Sequence, residues 1–218
     1  MTAVIPDTTK NALLNSAVSS GFVTSGVGLA LFTAFPPTVG GNEVTGGSPA
    51  YARKATTFTA SAAAGAISPA TGLPATFDIP AGTTVKAIGV MDSATAGAGN
   101  VRSWSPANAS ARRAFNVTAA GFAANTIDSP AHGLVAGDSV LLWATIGAAL
   151  PAGLAEDTQY FVIATGLTTD VFELSATLGG SVIDITGQGD GDVQKFVPEV
   201  FAGQGTYIVS ALSISLPG

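Results

Sequence analysis

Short apolar stretches, separated by turns rich in glycine and proline, run along most of this chain. The stretch 205–217 shows the clearest alternation, with Ile208, Ser210, Leu212, Ile214 and Leu216 on one face of an extended strand. Further strands are predicted from the same signals at 26–35, 50–60, 75–81 and 84–94. Short strands with turn signals between them predict a mainly β protein, built as a sandwich or barrel.

One segment has helical spacing instead. Leu13, Leu14, Ala17 and Val18 recur at intervals of a helix face, and Asp7 is a suitable N-cap residue. The pattern predicts one short amphipathic helix over about residues 8 to 19. This N-terminal helix is a candidate anchoring element.

A second group of strand signals differs in charge from the first. These strands are predicted at 138–145, 158–165, 170–177 and 181–188. Residues 117–195 carry nine acidic and one basic residue, whereas the remainder carries five acidic and seven basic residues. Because the last strand completes the first group, we predict an insertion: a β-sandwich or barrel host domain of residues 1–116 plus 196–218, carrying a small β-domain of residues 117–195.

Composition excludes several classes of protein. Only 10% of residues are charged, against roughly 25% in an average soluble domain, which favours surface covered by a partner. The absence of cysteine excludes disulfides and thiolate metal sites. No apolar run is long enough for a membrane helix, and the net charge of −6 argues against nucleic-acid binding. The N-terminus lacks signal-peptide features, so we expect synthesis and folding in the cytoplasm.

The single histidine invites a catalytic interpretation. His132 lies in "IDSPAHGLVAGDSVLL" (127–142) beside serines and aspartates, the residue types of a nucleophilic triad. Triad members normally come from distant segments, and no G-x-S-x-G elbow is present. We therefore predict a turn histidine bonded to a backbone carbonyl. Replacing His132 with Ala is expected to alter the stability of the turn and no activity.

Other candidate sites have simpler explanations. The acidic "GQGDGDV" (187–193) lacks the glutamate that an EF-hand calcium loop needs, so an Asp-Gly hairpin turn is predicted there. Adjacent Glu156 and Asp157 do not suit the paired carboxylates of a glycosidase. The glycine-rich "GGNEVTGG" (40–47) lacks the ending of a phosphate loop. No catalytic, cofactor-binding or metal-binding residue is predicted.

Two sets of residues are candidates for surface contacts. Trp143 and Tyr160 could form a platform for a glycan or a partner, although large aromatic residues in a β-domain are more often core. The sequence has two pairs of adjacent basic residues, Arg53 with Lys54 and Arg112 with Arg113. Each pair could contact an acidic partner, although solvated charge at a strand edge explains them equally well.

Five short motifs follow one another in the host segments: Leu29–Thr33, Glu43–Gly47, Tyr51–Arg53, Thr76–Pro80 and Gly89–Ala94. Their order resembles that in a family of small virion proteins of tailed bacteriophages, of the tail-fibre or head-decoration type. The chain departs from the family pattern in "TFDIP" and in the large insertion. The insertion itself resembles a β-module of phage structural proteins, with "AHGLVAGD" followed by "LPAGL" and "FELSATLGG".

This resemblance implies a non-enzymatic structural protein of a phage virion, made in the bacterial cytoplasm. The implied role is a capsid decoration, minor capsid protein or short tail appendage that packs on major capsid or tail proteins. A homo-oligomer is expected, with a trimer as the favoured state. The alternatives are a carbohydrate-binding adhesin that contacts host glycans through residues 117–195, and an enzyme that depends on His132.

Overall fold

The computed structural model describes residues 12–13, 27–58, 63, 66–145 and 148–215. Residues 12–13 are helical, and the rest of the helix predicted at 8–19 lies outside the described residues. The described elements follow in chain order: β1 (Gly28–Phe32), β2 (Lys54–Ala55), β3 (Thr57–Phe58), β4 (Ala66–Ile67), β5 (Pro69–Thr71), β6 (Ala75–Ile79), β7 (Thr83–Val85), β8 (Ala87–Met91), β9 (Val101–Pro106), β10 (Arg113–Val117), α1 (Ala119–Ala124), β11 (Ile127–Asp128), β12 (Ser139–Ala144), β13 (Tyr160–Val162), β14 (Val171–Phe172), β15 (Leu174–Ser175), β16 (Gly189–Phe196), β17 (Glu199–Phe201), β18 (Gly205–Val209) and β19 (Ile214–Ser215). The predicted mainly β fold class is confirmed. Within the described ranges, no helix has the length and apolar character needed to cross a membrane.

The chain divides into two compact units. Unit 1 comprises residues 1–105 and 198–218, and unit 2 comprises residues 106–197. The junctions therefore differ from those predicted at 116/117 and 195/196. With these bounds unit 1 has five acidic and five basic residues, while unit 2 has nine acidic and three basic residues. Unit 1 thus has no net charge, and unit 2 carries the net charge of −6.

Strand β1 forms the centre of unit 1. Its sheet has the order β2-β1-β8-β9, and all five residues of β1 are buried. Phe32 packs in a core with Ala87 and Met91, against which the half-buried Trp104 lies. Gly89 makes this possible, because a Cβ at this position would lie 2.6 Å from the Phe32 ring. A continuous apolar strand without polar alternation is typical of a strand covered on both faces.

The C-terminal segment returns to unit 1 and pairs with its middle. Strand β18 pairs with β6, and β17 pairs with β7, so that residues 199–209 run antiparallel to residues 75–85. The alternation predicted in this segment is present, but Tyr207 and Val209 face the core, and Ile208 is 58% exposed.

Unit 2 is a nearly closed barrel. Its seven-stranded sheet has the order β14-β11-β10-β16-β12-β13-β15. Strands β14 and β15 are separated only by Glu173, so the segment 171–175 pairs with β11 on one side and with β13 on the other. Such closure removes the open strand edges at which proteins aggregate. Buried residues of the barrel form a core of their own: Phe115, Val117, Ile127, Leu134, Val140, Leu142, Tyr160, Val162, Phe172, Leu174, Ile185 and Val193.

Two sequence predictions in unit 2 are wrong. The acidic segment predicted as a hairpin turn is part of β16, which pairs with both β10 and β12. The strand predicted at 181–188 is absent apart from a single bridge between Val182 and Ser175. Gly191 of β16 has to be a glycine, because a Cβ at this position would lie 3.0 Å from the Phe115 ring.

Helix α1 was not predicted either. Its sequence "AAGFAA" has too little apolar contrast to show a helical face. The helix is defined by its ends instead: the Thr118 side chain accepts a hydrogen bond from the Gly121 N–H, and Asn125 adopts a left-handed conformation at the C-terminus. The Asn125 side chain also accepts the Ile185 N–H at 2.8 Å, which ties the helix to a distant loop.

The buried carboxyl group in the closing segment generates a pH prediction. Glu173 is 8% exposed, and burial raises its pKa above the ordinary value. A raised folded-state pKa means that ionisation destabilises the fold, fully so above the folded-state pKa and not at all below the unfolded-state pKa. We expect Glu173→Gln to increase the free energy of unfolding at pH 7, with the increase shrinking as pH falls through the folded-state pKa and vanishing below the unfolded-state pKa of about 4.3.

Urea denaturation of the full chain at a series of pH values measures this difference. Asp184→Asn is the matched control, because Asp184 is exposed in the same unit and its replacement should have little effect. A Glu173→Gln protein less stable than the parent at pH 7 would contradict the prediction.

Candidate functional site

A buried ion pair in unit 1 links two of the phage-like motifs, Glu43–Gly47 and Tyr51–Arg53. The Nε and Nη2 atoms of Arg53 donate to the two carboxylate oxygens of Glu43, each at 2.7 Å. The side chains are 0% and 2% exposed, respectively. Two parallel charge-assisted bonds of this kind fix both distance and orientation.

The remaining donors of Arg53 hold a loop. Its Nη1 donates to the carbonyl oxygens of Ser93 and Ala98, both at 2.8 Å, and the Gly97 N–H donates to Glu43 at 3.2 Å. Gly28 of β1 is needed for this close approach, since a Cβ there would lie 2.8 Å from the Ser93 carbonyl oxygen. The loop 92–100 is therefore fastened to the ion pair.

Asp92 closes the same loop at its base. Its carboxylate accepts the side-chain N–H of Asn100 at 2.9 Å and the backbone N–H of Asn100 at 2.6 Å, and it pairs with Arg102 at 2.6 Å. These bonds, led by the side chain of Asn100, lower the pKa of Asp92. The carboxylate stays ionised across the physiological range and supports the loop.

Tyr51 connects the arginine segment to β1. Its hydroxyl accepts the Leu31 N–H at 2.9 Å, and burial raises the pKa of this hydroxyl far above its ordinary range. The structure thus brings together Leu29–Thr33, Glu43, Tyr51–Arg53 and the 89–94 segment.

The ion pair shows that Arg53, a candidate for contact with the particle, is an internal residue. Arg53 is buried, and its guanidinium donates to Glu43, Ser93 and Ala98 inside unit 1, so it is not available to an acidic partner. Lys54 is half-buried, with its Nζ 6.0 Å from the centre of the Phe77 ring. Arg113 is exposed on β10 and belongs to unit 2. Of the basic candidates, Lys54, Arg112 and Arg113 keep accessible surface.

Arg112 and Trp143 lie together on unit 2. The Arg112 guanidinium stacks 4.1 Å from the centre of the Trp143 ring, and the indole N–H donates to Gln194 at 3.2 Å. Burial lowers the pKa of Arg112, whereas the nearby carboxylates of Asp192 and Glu156 act in the opposite direction. The cation occupies one face of the ring that a sugar would use.

Tyr160 is a core residue. It is 5% exposed, packs in the barrel core, and its hydroxyl accepts the Ala155 N–H at 2.8 Å. The proposed platform of Trp143 with Tyr160 therefore does not form. Trp143 is half-buried and is the member of the pair with accessible surface.

His132 is buried in the turn where the sequence placed it. Its Nδ1 accepts the Leu134 N–H at 2.9 Å, so the backbone partner is an N–H group and not the predicted carbonyl. The proton consequently lies on Nε2, which is buried without a hydrogen-bond partner among the described residues. The ring stands edge-on to Phe172 at 5.2 Å.

The neighbouring serine and aspartates are engaged elsewhere. Ser129 donates to the Ala114 carbonyl, Asp170 accepts the Ala131 N–H, and Asp138 pairs with Lys195 at 2.7 Å. None of them contacts the imidazole by a hydrogen bond. In the part of the chain that the structure describes, no cluster of three potential metal ligands occurs.

A cleft on unit 1 was missed by the sequence analysis. It has a volume of about 450 Å³, and its lining includes Thr33, Thr45, Thr83 and Thr84 together with Glu43, Val44 and Gly82. Scattered threonines carry no motif, and only the folded chain shows that they face one space.

His132 generates a stability prediction. His132→Ala removes both the acceptor for Leu134 and the packing on Phe172, so the free energy of unfolding should fall by about 1–3 kcal/mol. His132→Asn keeps an acceptor that can reach the same N–H and should recover part of the loss. Urea denaturation monitored by circular dichroism measures both. An alanine variant as stable as the parent would contradict this role.

Comparison with known proteins places the chain in a family. No curated protein and no solved structure matches it. A family model described as "Podophage GP4 fiber I protein gp80" matches residues 5–129. This match includes all five host motifs and ends just after β11, so the resemblance of the "AHGLVAGD" module remains a prediction. Since the match covers more than half of the 218 residues, the chain belongs to the podophage GP4 fiber I protein gp80 family, a family of phage fibre proteins.

Proposed function

We propose that this protein is a non-enzymatic accessory of a tailed-phage virion, in which unit 1 packs on the particle and unit 2 projects into solvent. The role is that of a short tail appendage or a capsid decoration, attached through major capsid or tail proteins. Copies of the chain associate with one another, with a trimer as the favoured state.

The observation that carries this proposal is the contrast in net charge between the two units. Unit 1 has no net charge, and Val200 and Ile208 on its C-terminal strands are 70% and 58% exposed. Exposed apolar residues on a unit without net charge suit contact with other subunits. Unit 2 carries the net charge of −6 and has a nearly closed barrel with its own core, which suits a solvated module.

A host-surface adhesin is the second candidate function. Trp143 favours it, because a half-buried indole beside Glu156 and Asp192 combines a ring with hydrogen-bond acceptors for sugar hydroxyls. The stacked Arg112 would have to move aside or bind the ligand itself. This function requires unit 2 for adsorption to the host, whereas the leading proposal does not.

Deletion of unit 2 tests the assignment. Asn108 donates to the Val197 carbonyl at 3.1 Å, so the two ends of unit 2 lie close together and a short Gly-Ser linker can join Ser105 to Pro198. We expect phage carrying this shortened gene to incorporate the protein at the parental copy number, as measured by quantitative mass spectrometry of purified particles. The parental gene with the same linker inserted at residue 203, an exposed glycine, is the control.

The outcomes separate the two functions. Loss of the shortened protein from particles would contradict attachment through unit 1. Normal incorporation with normal adsorption to host cells supports the accessory role. Normal incorporation with lost adsorption, reproduced by Trp143→Ala, would replace it with the adhesin.

A further inference from the structure

Two turns on the surface of the unit 2 barrel carry exposed apolar side chains. The first turn, residues 133–137, leads into β12, and the second, the loop 176–182, follows β15. Val135 of the first turn is 58% exposed, and Leu178 and Val182 of the second are 68% and 40% exposed. These three side chains are called the turn patch below.

The two turns belong to one surface. Strands β12 and β15 pair with β13 from its two sides, and Ser139 and Ser175 both lie opposite Phe161 in the register. The turns therefore flank β13, and the Leu178 side chain reaches across, since a Cβ at Gly137 would lie 3.7 Å from its Cδ1 atom. Both turns follow residue 129, where the match to the fibre family ends.

Hydrogen bonds fix the backbone of both turns. The Asp138 carboxylate accepts the Val135 N–H at 2.9 Å, and the Gly137 N–H donates to a carbonyl of β13 at 2.8 Å. In the second turn the Gly180 N–H donates to the Thr177 carbonyl at 2.9 Å. The apolar side chains are thus presented on ordered backbone, which lowers the entropy lost when a partner covers them.

The turn patch is uncharged, although unit 2 carries the net charge of −6. Residues 133–137 and 176–182 contain no charged side chain. Asp138, which follows the first turn, pairs with Lys195 at 2.7 Å. Exposed apolar side chains grouped without charge typically mark a surface that a partner covers.

The opposite side of the barrel carries carboxylates. With residues 171–175 counted as one segment, β10 is three strands away from β13 in both directions around the sheet. There Asn116 of β10 has Asp128 and Asp190 as its two neighbours across the strands. Two such units meeting through this side would bring like charges together, which costs free energy. The turn patch allows two units to approach without that cost.

We propose that the turn patch is a contact between neighbouring copies of this chain, which meet patch to patch. The inference rests on the proposed self-association of the chain. A second copy offers the same apolar side chains and no opposing charge in the two turns. A basic partner would gain nothing from an uncharged surface, and anionic lipids would repel a unit with a net charge of −6.

The size of the patch limits its strength. Three side chains cover far less than the roughly 800 Å² per partner of a typical stable interface. The contact therefore adds to an association in which unit 1 also takes part, and the rest of unit 2 stays solvated.

Sedimentation velocity of the full chain, at micromolar to near-millimolar concentrations, tests the proposal. Leu178→Asp should raise the dissociation constant of the assembly about tenfold or more, because it places a carboxylate in the patch of every copy. Ala120→Asp is the matched control, since Ala120 is exposed on α1 and the variant adds the same charge to the same unit. It should change the dissociation constant by about twofold at most. Unchanged circular dichroism shows that each variant is folded.

Crosslinking locates the contact directly. Because the chain has no cysteine, one introduced thiol can be linked at a chosen position. With a short bis-maleimide, Leu178→Cys should form covalent dimers at concentrations where the chain associates. Ala120→Cys under the same conditions should form several-fold fewer.

Three results would overturn the proposal. An assembly in which Leu178→Cys crosslinks no better than Ala120→Cys, or which Leu178→Asp leaves intact, would place the contact elsewhere while the proposed self-association stands. A chain that stays monomeric at every concentration would contradict the self-association as well. Flotation of the parent chain with vesicles of phosphatidylethanolamine and phosphatidylglycerol, lost in Leu178→Asp, would assign the patch to a membrane.

Discussion

The buried bidentate pair of Arg53 and Glu43 is the interaction on which unit 1 depends. Its two partners lie ten residues apart, yet the pair also holds the carbonyls of Ser93 and Ala98 and the N–H of Gly97. Removing one partner would leave an uncompensated charge in the core, which typically costs about 3–5 kcal/mol. The pair holds three chain segments, those of Glu43, Arg53 and the loop 92–100, in one defined arrangement around β1.

This role changes what the phage-like motifs mean. The glutamate of "EVTGG" and the arginine of "YAR" are internal, and the tyrosine between them is bonded to the backbone of β1. These motifs therefore encode a fold, and contacts with other virion proteins must be made by other residues. The accessible candidates among the described residues of unit 1 include the exposed apolar residues Leu13, Val200 and Ile208 and the half-buried Lys54. The acidic unit 2 is a self-contained barrel whose closing segment includes a buried glutamate.

Local patterns predicted the strands of the chain better than its pairings. Strands such as β1 and β12 are visible because apolar runs end at turn residues, and the position of His132 in a turn follows from the same signals. The sequence does not predict strand β16, because "GDGDV" has the composition of a turn. The segment is extended because it pairs with β10 on one side and β12 on the other. The partner of Arg53 and the threonine-lined cleft depend on contacts between distant segments, for which one sequence carries no signal.

A double-mutant cycle on Glu43→Gln and Arg53→Met tests the central claim most directly. The chain has two tryptophans, and in a Trp143→Phe background the fluorescence of Trp104 reports the unfolding of unit 1 alone. The account predicts that each single change lowers the free energy of unfolding by about 3–5 kcal/mol. The double variant should lose at least about 1.5 kcal/mol less than the sum of the two. Single losses below about 1 kcal/mol that simply add would identify a pair of the surface type and contradict the account.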